Sequence, residues 1–379
     1  MKIGILGTRG IPNHYGGFEQ FASYLSAGLV TKGHEVYVYN SHNHYYQQNT
    51  WNQVNIVHCY DPEYKLGSAG QFIYDLNCIL DARTKNFDIL LMLGYTSSSV
   101  WGKLYPKKTT IVYNMDGMEW KRNKYSEPVK KFLFYAEKLA VKYSDFIVAD
   151  SRMIQSYIQE KYTVPTQYIP YGAQIFDHED ENLLKEYHVT AFHYYISMGR
   201  MVCENNLEII LDGFTSSNST KKFLVISDPD NKFGKHLTSK YKSDDRIIFT
   251  GTIFDEKYKH TLKYFSQLYF HGHSVGGTNP CLLEAMASSS LIAAHDNVFN
   301  NSILGDDGLY FSTPEDVKSL IENTERGYRE EDMINNNLQK IQEQYNWGKV
   351  IDQYENFMVQ CVINKSNERN VQDRRHTYQ

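Results

Sequence analysis

Apolar strands and amphipathic helices alternate in two series along this chain, and the alternation breaks once, between residues 165 and 184. The first series predicts strands at 2–6, 35–39, 55–58, 89–93, 110–114 and 146–149, and helices at 17–32, 70–85, 129–143 and 153–161. The second predicts strands at 194–198, 223–226, 246–250, 268–271 and 291–294, and helices at 206–216, 255–265, 279–288 and 314–324. Such alternation is typical of parallel, doubly wound sheets. The sequence therefore predicts an α/β protein with two Rossmann-like doubly wound domains.

Two prolines, a glycine and an acidic cluster mark the break between the two series. We place an N-terminal domain at 1–165, a linker at 166–190 and a C-terminal domain at 191–345. A final helix is expected at 346–363, packing on the N-terminal domain, before a polar, disordered tail at 364–379. A length of 379 residues fits two such domains. Ligands of doubly wound sheets bind at the carboxyl ends of the strands, so we expect a cleft between the two sheets.

Composition excludes several classes of function. The net charge of −5 provides no field that would attract nucleic acid. The five cysteines are scattered without C-x-x-C spacing, which favours a reducing cytoplasm and argues against a structural zinc site. Met1 begins the first strand directly, and the apolar run at 87–95 is too short to span a bilayer. We expect a cytoplasmic protein, soluble or peripheral to the inner face of the membrane.

The first strand is followed by a glycine-rich loop and by a helix that begins at the pair Gly16–Gly17. Glycines allow close approach of a ligand, and the first N–H groups of the helix point toward it. The loop matches neither the dinucleotide fingerprint nor the P-loop. It is either a site for a phosphate or another anionic ligand, or simply a tight strand-to-helix turn.

A second glycine turn, Gly276–Gly277, precedes a predicted helix that carries Glu284. A diphosphate can bind the N–H groups of such a helix, and a glutamate one turn further in can accept hydrogen bonds from sugar hydroxyls. The alternative is a solvated glutamate, but the apolar residues on both sides of Glu284 make a solvent face less favourable.

Three motifs in order give the chain a family resemblance: GTRGIPNHYGGFE at 7–19, NMDGMEWKRNKYS at 114–126 and GHSVGGTNPCLLEAM at 272–286. With KGHEVYVY, IPYGA, ISMGR and YNW elsewhere, the sequence resembles retaining glycosyltransferases of family 4, which have the two-domain GT-B architecture. Within them it is most similar to rhamnosyltransferases of bacterial capsule and cell-wall polysaccharide synthesis.

The resemblance implies a donor site in the C-terminal domain and an acceptor site in the N-terminal domain. On the donor side it implies that Arg200 contacts the diphosphate, that Glu284 contacts the ribose, and that Gly277, Thr278 and Asn279 contact the phosphate and the sugar. Gly16 and Gly17 would frame the reacting centre, which places Gly17 and Arg200 among the catalytic residues.

Two positions depart from the family pattern. Gly276 stands where a glutamate commonly contacts the donor sugar, and Asn205 stands where a lysine commonly joins the arginine on the diphosphate. Asn205 and Asn206 can still donate hydrogen bonds, and Arg9 is a candidate for the missing positive charge and for acceptor binding.

The middle motif places Asp116 just after a predicted strand. An aspartate here can orient or activate the acceptor hydroxyl, although an Asp-Gly turn is an equal alternative. Glu119, Lys121 and Arg122 are assigned to acceptor binding. His271 and His273 have no carboxylate or thiolate at matching spacing, so we predict a polar pocket wall and no metal.

The stretch 120–143 interleaves basic and aromatic residues, with Phe132 and Phe134 expected at the surface. It predicts contact with anionic lipid, unless it is an ordinary amphipathic helix with a solvated lysine face.

Together these features predict retaining transfer of a sugar from a nucleoside diphosphate sugar, with dTDP-L-rhamnose favoured, to a saccharide acceptor carried on a lipid. No cofactor is expected. The alternatives are a sugar-nucleotide epimerase or hydrolase of the same architecture, and a non-catalytic sugar-nucleotide-binding scaffold.

Overall fold

The chain forms two compact units in the computed structural model, which describes residues 1–115, 117–122 and 125–377, with 370–377 described by backbone alone. Unit 1 contains the chain up to Lys121, Tyr125–Tyr171 and the residues from Trp347 onward. Unit 2 contains Arg122 and Gly172–Asn346.

Unit 1 is built on an eight-stranded sheet in the order β3-β4-β2-β1-β5-β6-β7-β8. Its strands are β1 (Lys2–Leu6), β2 (Glu35–Ser41), β3 (Thr50–Trp51), β4 (Val54–Cys59), β5 (Ile89–Leu93), β6 (Thr110–Asn114), β7 (Phe146–Ala149) and β8 (Thr166–Tyr168). All neighbours pair in parallel except β3 and β4. Every residue of β5 and β6 is buried, as expected for central parallel strands covered on both faces.

Helices connect the strands of unit 1. They are α1 (Gly17–Thr31), α2 (Glu63–Leu66), α3 (Gly70–Ala82), α4 (Glu127–Tyr143) and α5 (Arg152–Tyr162). The predicted cap of α5 is confirmed, because the Ser151 side chain accepts a hydrogen bond from the Ile154 N–H. Thr166–Tyr168, assigned to the linker by the sequence, instead pairs with β7 as the last strand of this sheet.

The final helix spans Trp347–Thr377, so the prediction of a disordered tail is wrong over the described residues. Polar contacts within unit 1 hold this extension. Lys365 donates hydrogen bonds to the Thr109 carbonyl and to Asp145, and Arg369 donates to the carbonyls of Lys107 and Lys108. Composition alone did not reveal these partners, because they lie far away in the sequence.

Unit 2 contains a six-stranded, fully parallel sheet in the order β11-β10-β9-β12-β13-β14. Its strands are β9 (Tyr194–Met198), β10 (Lys222–Ile226), β11 (Ile247–Gly251), β12 (Leu268–His271), β13 (Ile292–His295) and β14 (Leu309–Phe311). Its core contains a cluster of aromatic rings in contact, formed by Tyr195, Phe214, Phe223 and Phe270.

The helices of unit 2 include three that the sequence analysis missed. They are α6 (Leu207–Ser216), α7 (Lys232–Tyr241), α8 (Glu256–Tyr264), α9 (Pro280–Ala287), α10 (Val298–Leu304), α11 (Pro314–Asn323) and α12 (Tyr328–Lys340). The predicted start of α11 is confirmed by a capping box at Thr313. Each of the missed helices α7, α10 and α12 buries two large apolar residues together with a glycine or an asparagine.

Each sheet reverses its strand order once, and these reversals locate the candidate sites. In unit 1 the reversal lies between β1 and β5, and in unit 2 it lies between β9 and β12. In doubly wound sheets the loops that follow the two strands at such a point form the ligand crevice.

Candidate functional site

The loops after β9 and β12, residues 199–206 and 272–279, bind each other at the reversal point of unit 2. The Asn206 amide donates to the Gly272 carbonyl over 2.8 Å, and the Ser274 N–H donates to the Glu204 carbonyl over 3.0 Å. A Cβ atom at position 272 would lie 1.9 Å from the Asn205 carbonyl oxygen. Glycine at 272 is therefore required for this close approach.

Asn205 joins the two loops through its side chain. Its amide nitrogen donates to the Arg200 carbonyl over 2.7 Å, and its Oδ1 lies 2.9 Å from His273 Nδ1. Asn205 thus holds the loop of Arg200 against the loop of His273.

Two arginines act on the imidazole of His273. Burial, followed by the positive charges of Arg122 and Arg200, lowers the pKa of His273 to about 3. Arg200 is exposed. Arg122, assigned to the acceptor by the sequence, groups with unit 2.

Helix α9 begins as the sequence predicts. The Asn279 side chain caps it by accepting from the Cys281 N–H, and Pro280 occupies the first turn. Gly276 has φ +140°, a conformation that favours glycine, and Thr278 is buried. Of the predicted donor residues in this turn, Asn279 uses its side-chain oxygen to cap the helix, and its carbonyl accepts from the N–H groups of Leu282 and Leu283.

Glu284 on α9 forms an ion pair that the sequence analysis did not anticipate. Lys263 on α8 donates to Glu284 Oε2 over 2.6 Å. The Lys263 side chain is fully buried, whereas the Glu284 side chain is 13% exposed. Glu284 is therefore mostly buried, as its apolar neighbours suggested, but it reaches the surface.

The glycine loop after β1 in unit 1 is fastened by the chain itself. The N–H groups of Arg9, Gly10 and Ile11 donate to Glu19, Thr8 and Asn40 respectively. These three N–H groups of the predicted anion site therefore already have hydrogen-bond partners within the chain. The first turn of α1 also contains the buried carboxylate of Glu19.

Arg9 is engaged within unit 1. Its guanidinium donates two hydrogen bonds to Glu63, of 3.0 and 2.7 Å, and stacks on the Tyr15 ring. An acceptor that binds Arg9 would therefore bind next to the Arg9–Glu63 ion pair.

The middle motif is held by a buried carboxylate on α4. Glu137 accepts hydrogen bonds from Trp120 Nε1 over 2.9 Å, from Tyr157 over 2.8 Å and from Lys161 over 2.7 Å. The predicted acceptor residues Glu119 and Lys121 flank Trp120, so Glu137 fixes their segment. Asp116 lies outside the described residues.

The basic stretch differs from its prediction. Phe132 packs on Phe72, and Phe134 packs on Trp120, so neither ring forms the expected exposed aromatic surface. What remains is a surface cavity of about 460 Å³. Its lining residues are Trp120, Lys121, Glu127, Lys130, Lys131 and Phe134.

Comparison with known proteins identifies the fold. A family model described as "Domain of unknown function (DUF1972)" matches residues 1–174, and no curated protein sequence matches significantly. Sucrose-phosphate synthase from Thermosynechococcus elongatus superposes with a TM-score of 0.78 at 15% identity, covering 95% of this chain and 98% of that one. Anabaena HepE in complex with UDP-glucose gives 0.76 at 15% identity, covering 95% and 100%. A glycosyltransferase from Rickettsia africae gives 0.70 at 13%, covering 95% and 98%.

The chain has the GT-B fold. The sequence analysis named this architecture from motif order, and the two parallel sheets confirm it.

Several residues of this GT-B protein that shape the site escaped sequence analysis. Lys263 and Glu137 lie outside the three motifs, and Gly272, the first residue of the third motif, was not singled out. Each of the three contacts a partner distant in the sequence. A lysine in an amphipathic helix gives no signal of burial. Among the described residues, no helix is both long and apolar enough to cross a membrane.

Proposed function

We propose that this protein is a glycosyltransferase that uses a nucleoside diphosphate sugar. The observation that carries the proposal is the arrangement at the reversal point of unit 2. There, exposed Arg200 and the N-terminus of α9 belong to neighbouring loops, and Glu284 follows one turn into the helix. Positive charge and the positive end of a helix dipole suit a diphosphate, and a carboxylate suits ribose hydroxyls.

We assign the diphosphate to Arg200 and to the backbone of Gly277, Thr278 and Asn279. Asn205 supports the loop of Arg200 and donates no positive charge. Because Arg122 and Arg200 both act on His273, we propose that Arg122 supplies the charge that a lysine would otherwise bring at position 205. Arg9, held by Glu63, is the weaker candidate.

The donor sugar is proposed from resemblance. HepE, which has the same fold, was solved with UDP-glucose, and this supports a nucleotide-sugar donor in general. The similarity of the motifs to rhamnosyltransferases of family 4 favours dTDP-L-rhamnose. Gly276, which lacks the usual carboxylate, fits a sugar with a different pattern of hydroxyl groups.

We propose a saccharide acceptor carried on a lipid, bound in unit 1 by Gly16, Gly17, Glu119 and Lys121. Its hydroxyl oxygen attacks the anomeric carbon while the bond to the diphosphate oxygen breaks. The leaving phosphate takes the hydroxyl proton on the same face, so the configuration is retained. Positive groups near the diphosphate stabilise its developing charge. Asp116 would orient the hydroxyl.

A turnover experiment separates this proposal from its alternatives. Purified protein is incubated with labelled UDP-, GDP- and dTDP-sugars, with and without a bacterial lipid extract, after a thermal-shift screen of the same nucleotides. A transferase moves label into the lipid fraction only when the extract is present. Donor consumption without extract indicates an epimerase or hydrolase, and binding without turnover indicates a scaffold.

A further inference from the structure

Lys263, which is completely buried, forms an ion pair with Glu284, the predicted ribose-binding carboxylate. Lys263 lies on α8 and Glu284 on α9, and their ion pair measures 2.6 Å. Within the described residues, the Lys263 ammonium has a single hydrogen-bond partner, Glu284. Burying an ammonium is costly unless it is paired, so this contact needs a physical explanation.

The two side chains differ in what they can touch. Lys263 is 0% exposed and Glu284 is 13% exposed, so a ligand can meet the carboxylate but not the ammonium. The pair engages Oε2 of Glu284, which fixes the orientation of the whole carboxylate.

We propose that Lys263 is the positioning residue for nucleotide recognition, holding the Glu284 carboxylate oriented toward the ribose hydroxyls. This inference rests on the proposed function of Glu284.

The neighbouring charges on α8 agree with this role. Burial by itself would lower the pKa of Lys259, but the carboxylates of Glu284 and Glu256 raise it above its usual value. Lys259 has its own ion pair with Glu256, at 2.5 Å. Glu284 therefore lies in the field of both lysines, and Lys263 is the one that donates a hydrogen bond to it.

The test compares nucleotides with and without the ribose hydroxyl. Dissociation constants of UDP, GDP and dTDP are measured by calorimetry against their 3′-deoxy analogues. For wild type, we expect the nucleotide that binds to lose about tenfold or more in affinity when the hydroxyl is removed, as for a charge-assisted hydrogen bond. Lys263→Met should reduce this ratio toward one.

The matched control is His260→Gln. His260 is also buried on α8 and also contacts α9, where its Nδ1 lies 2.6 Å from Ser288 Oγ. Because it does not hold Glu284, its variant should keep the wild-type ratio. Equal loss in both variants would overturn the proposal in favour of general loosening between the two helices.

A double-mutant cycle keeps the proposal testable if Lys263→Met folds poorly. Lys263→Met combined with Glu284→Gln leaves no unpaired buried charge and should bind no worse than Glu284→Gln alone, because Lys263 acts through Glu284. A further loss in the double variant, or a wild-type ratio in Lys263→Met, contradicts the inference. If the wild-type protein itself shows a ratio near one, the proposed contact between Glu284 and the ribose is also ruled out. Absence of sugar transfer with the expected ratios overturns the proposed function alone.

Discussion

His260 shows how a buried side chain makes stability depend on pH. It stacks on Phe176 at 4.6 Å between ring centres. Burial, with help from Lys263 and Lys259, lowers its pKa to about 4 against the opposing charge of Glu284. The folded state therefore keeps the imidazole neutral while the unfolded chain, with a pKa near 6.5, takes up a proton.

Stability from His260 should be complete above pH 6.5 and be lost as the pH falls toward 4. One such group changes the free energy of unfolding by at most about 1.4 kcal/mol per pH unit. Urea unfolding at pH 7 and pH 5 measures how much unfolding free energy is lost on acidification. This loss should be smaller for His260→Gln than for wild type. His178→Gln, at an exposed histidine, is the control. An equal loss of unfolding free energy between pH 7 and pH 5 in all three proteins would contradict the lowered pKa of His260.

Asp116 remains the sharpest catalytic prediction, although it lies outside the described residues. Asp116→Asn preserves size and most turn-forming capacity while removing the charge. If the carboxylate orients the acceptor hydroxyl, transfer should fall about a hundredfold or more, with donor affinity and melting temperature nearly unchanged. A lower melting temperature with a proportionate loss of every activity would indicate a turn, and an unchanged rate would move the chemistry elsewhere.

At the scale of elements, the loops 199–206 and 272–279 of unit 2 are packed against each other. Gly272→Ala would place a Cβ atom 1.9 Å from the Asn205 carbonyl, which cannot move without displacing the loop of Arg200. We expect a loss of about 1–3 kcal/mol in unfolding free energy, together with weaker nucleotide binding. Chemical unfolding and calorimetry measure the two effects.

Gly327→Ala is the control for the loop variant. There the added Cβ meets only Glu330 Oε2, at 3.3 Å, at the end of a side chain that can shift. It should bind nucleotide as wild type does. Normal nucleotide affinity in Gly272→Ala would show that the loop contact is dispensable.

Helix α4 carries the prediction of lipid contact in a revised form. With Phe132 and Phe134 packed within unit 1, charge rather than ring insertion should drive binding at the cavity. Binding to phosphatidylglycerol vesicles should fall as salt rises, and Lys130→Glu with Lys131→Glu should weaken it. Cosedimentation measures this.

A charge-matched control exists on the same helix. Lys138→Glu with Lys142→Glu changes two exposed lysines that do not line the cavity. Equal partitioning of both double variants would show a solvated lysine face without a specific site.

At the scale of the whole molecule, we propose that unit 2 binds the donor and unit 1 binds the acceptor. Unit 2 offers arginines and a helix N-terminus for the diphosphate, so charge neutralisation needs no metal ion in our mechanism. Full transfer activity is therefore expected in excess EDTA, measured as nucleotide release. Strict dependence on Mg²⁺ or Mn²⁺ would overturn the mechanism while leaving the fold assignment intact.

The sequence by itself determined what depends on neighbours along the chain. Strand–helix alternation predicted both sheets, and local capping chemistry predicted the starts of α5, α9 and α11, because hydrophobic periods and caps act over a few residues. Motif order predicted the GT-B fold. The mostly buried position of Glu284 also agrees with the sequence analysis.

Only the tertiary structure decided which distant residues meet. A period of apolar residues tells which face of a helix is buried, but it does not name the partner on another element. The strand order brings β9 beside β12, which joins Asn205 to His273 and closes the loop at Gly272. It also buries Lys263 against Glu284. These contacts span tens of residues, and packing selects them only when the sheet of unit 2 is complete.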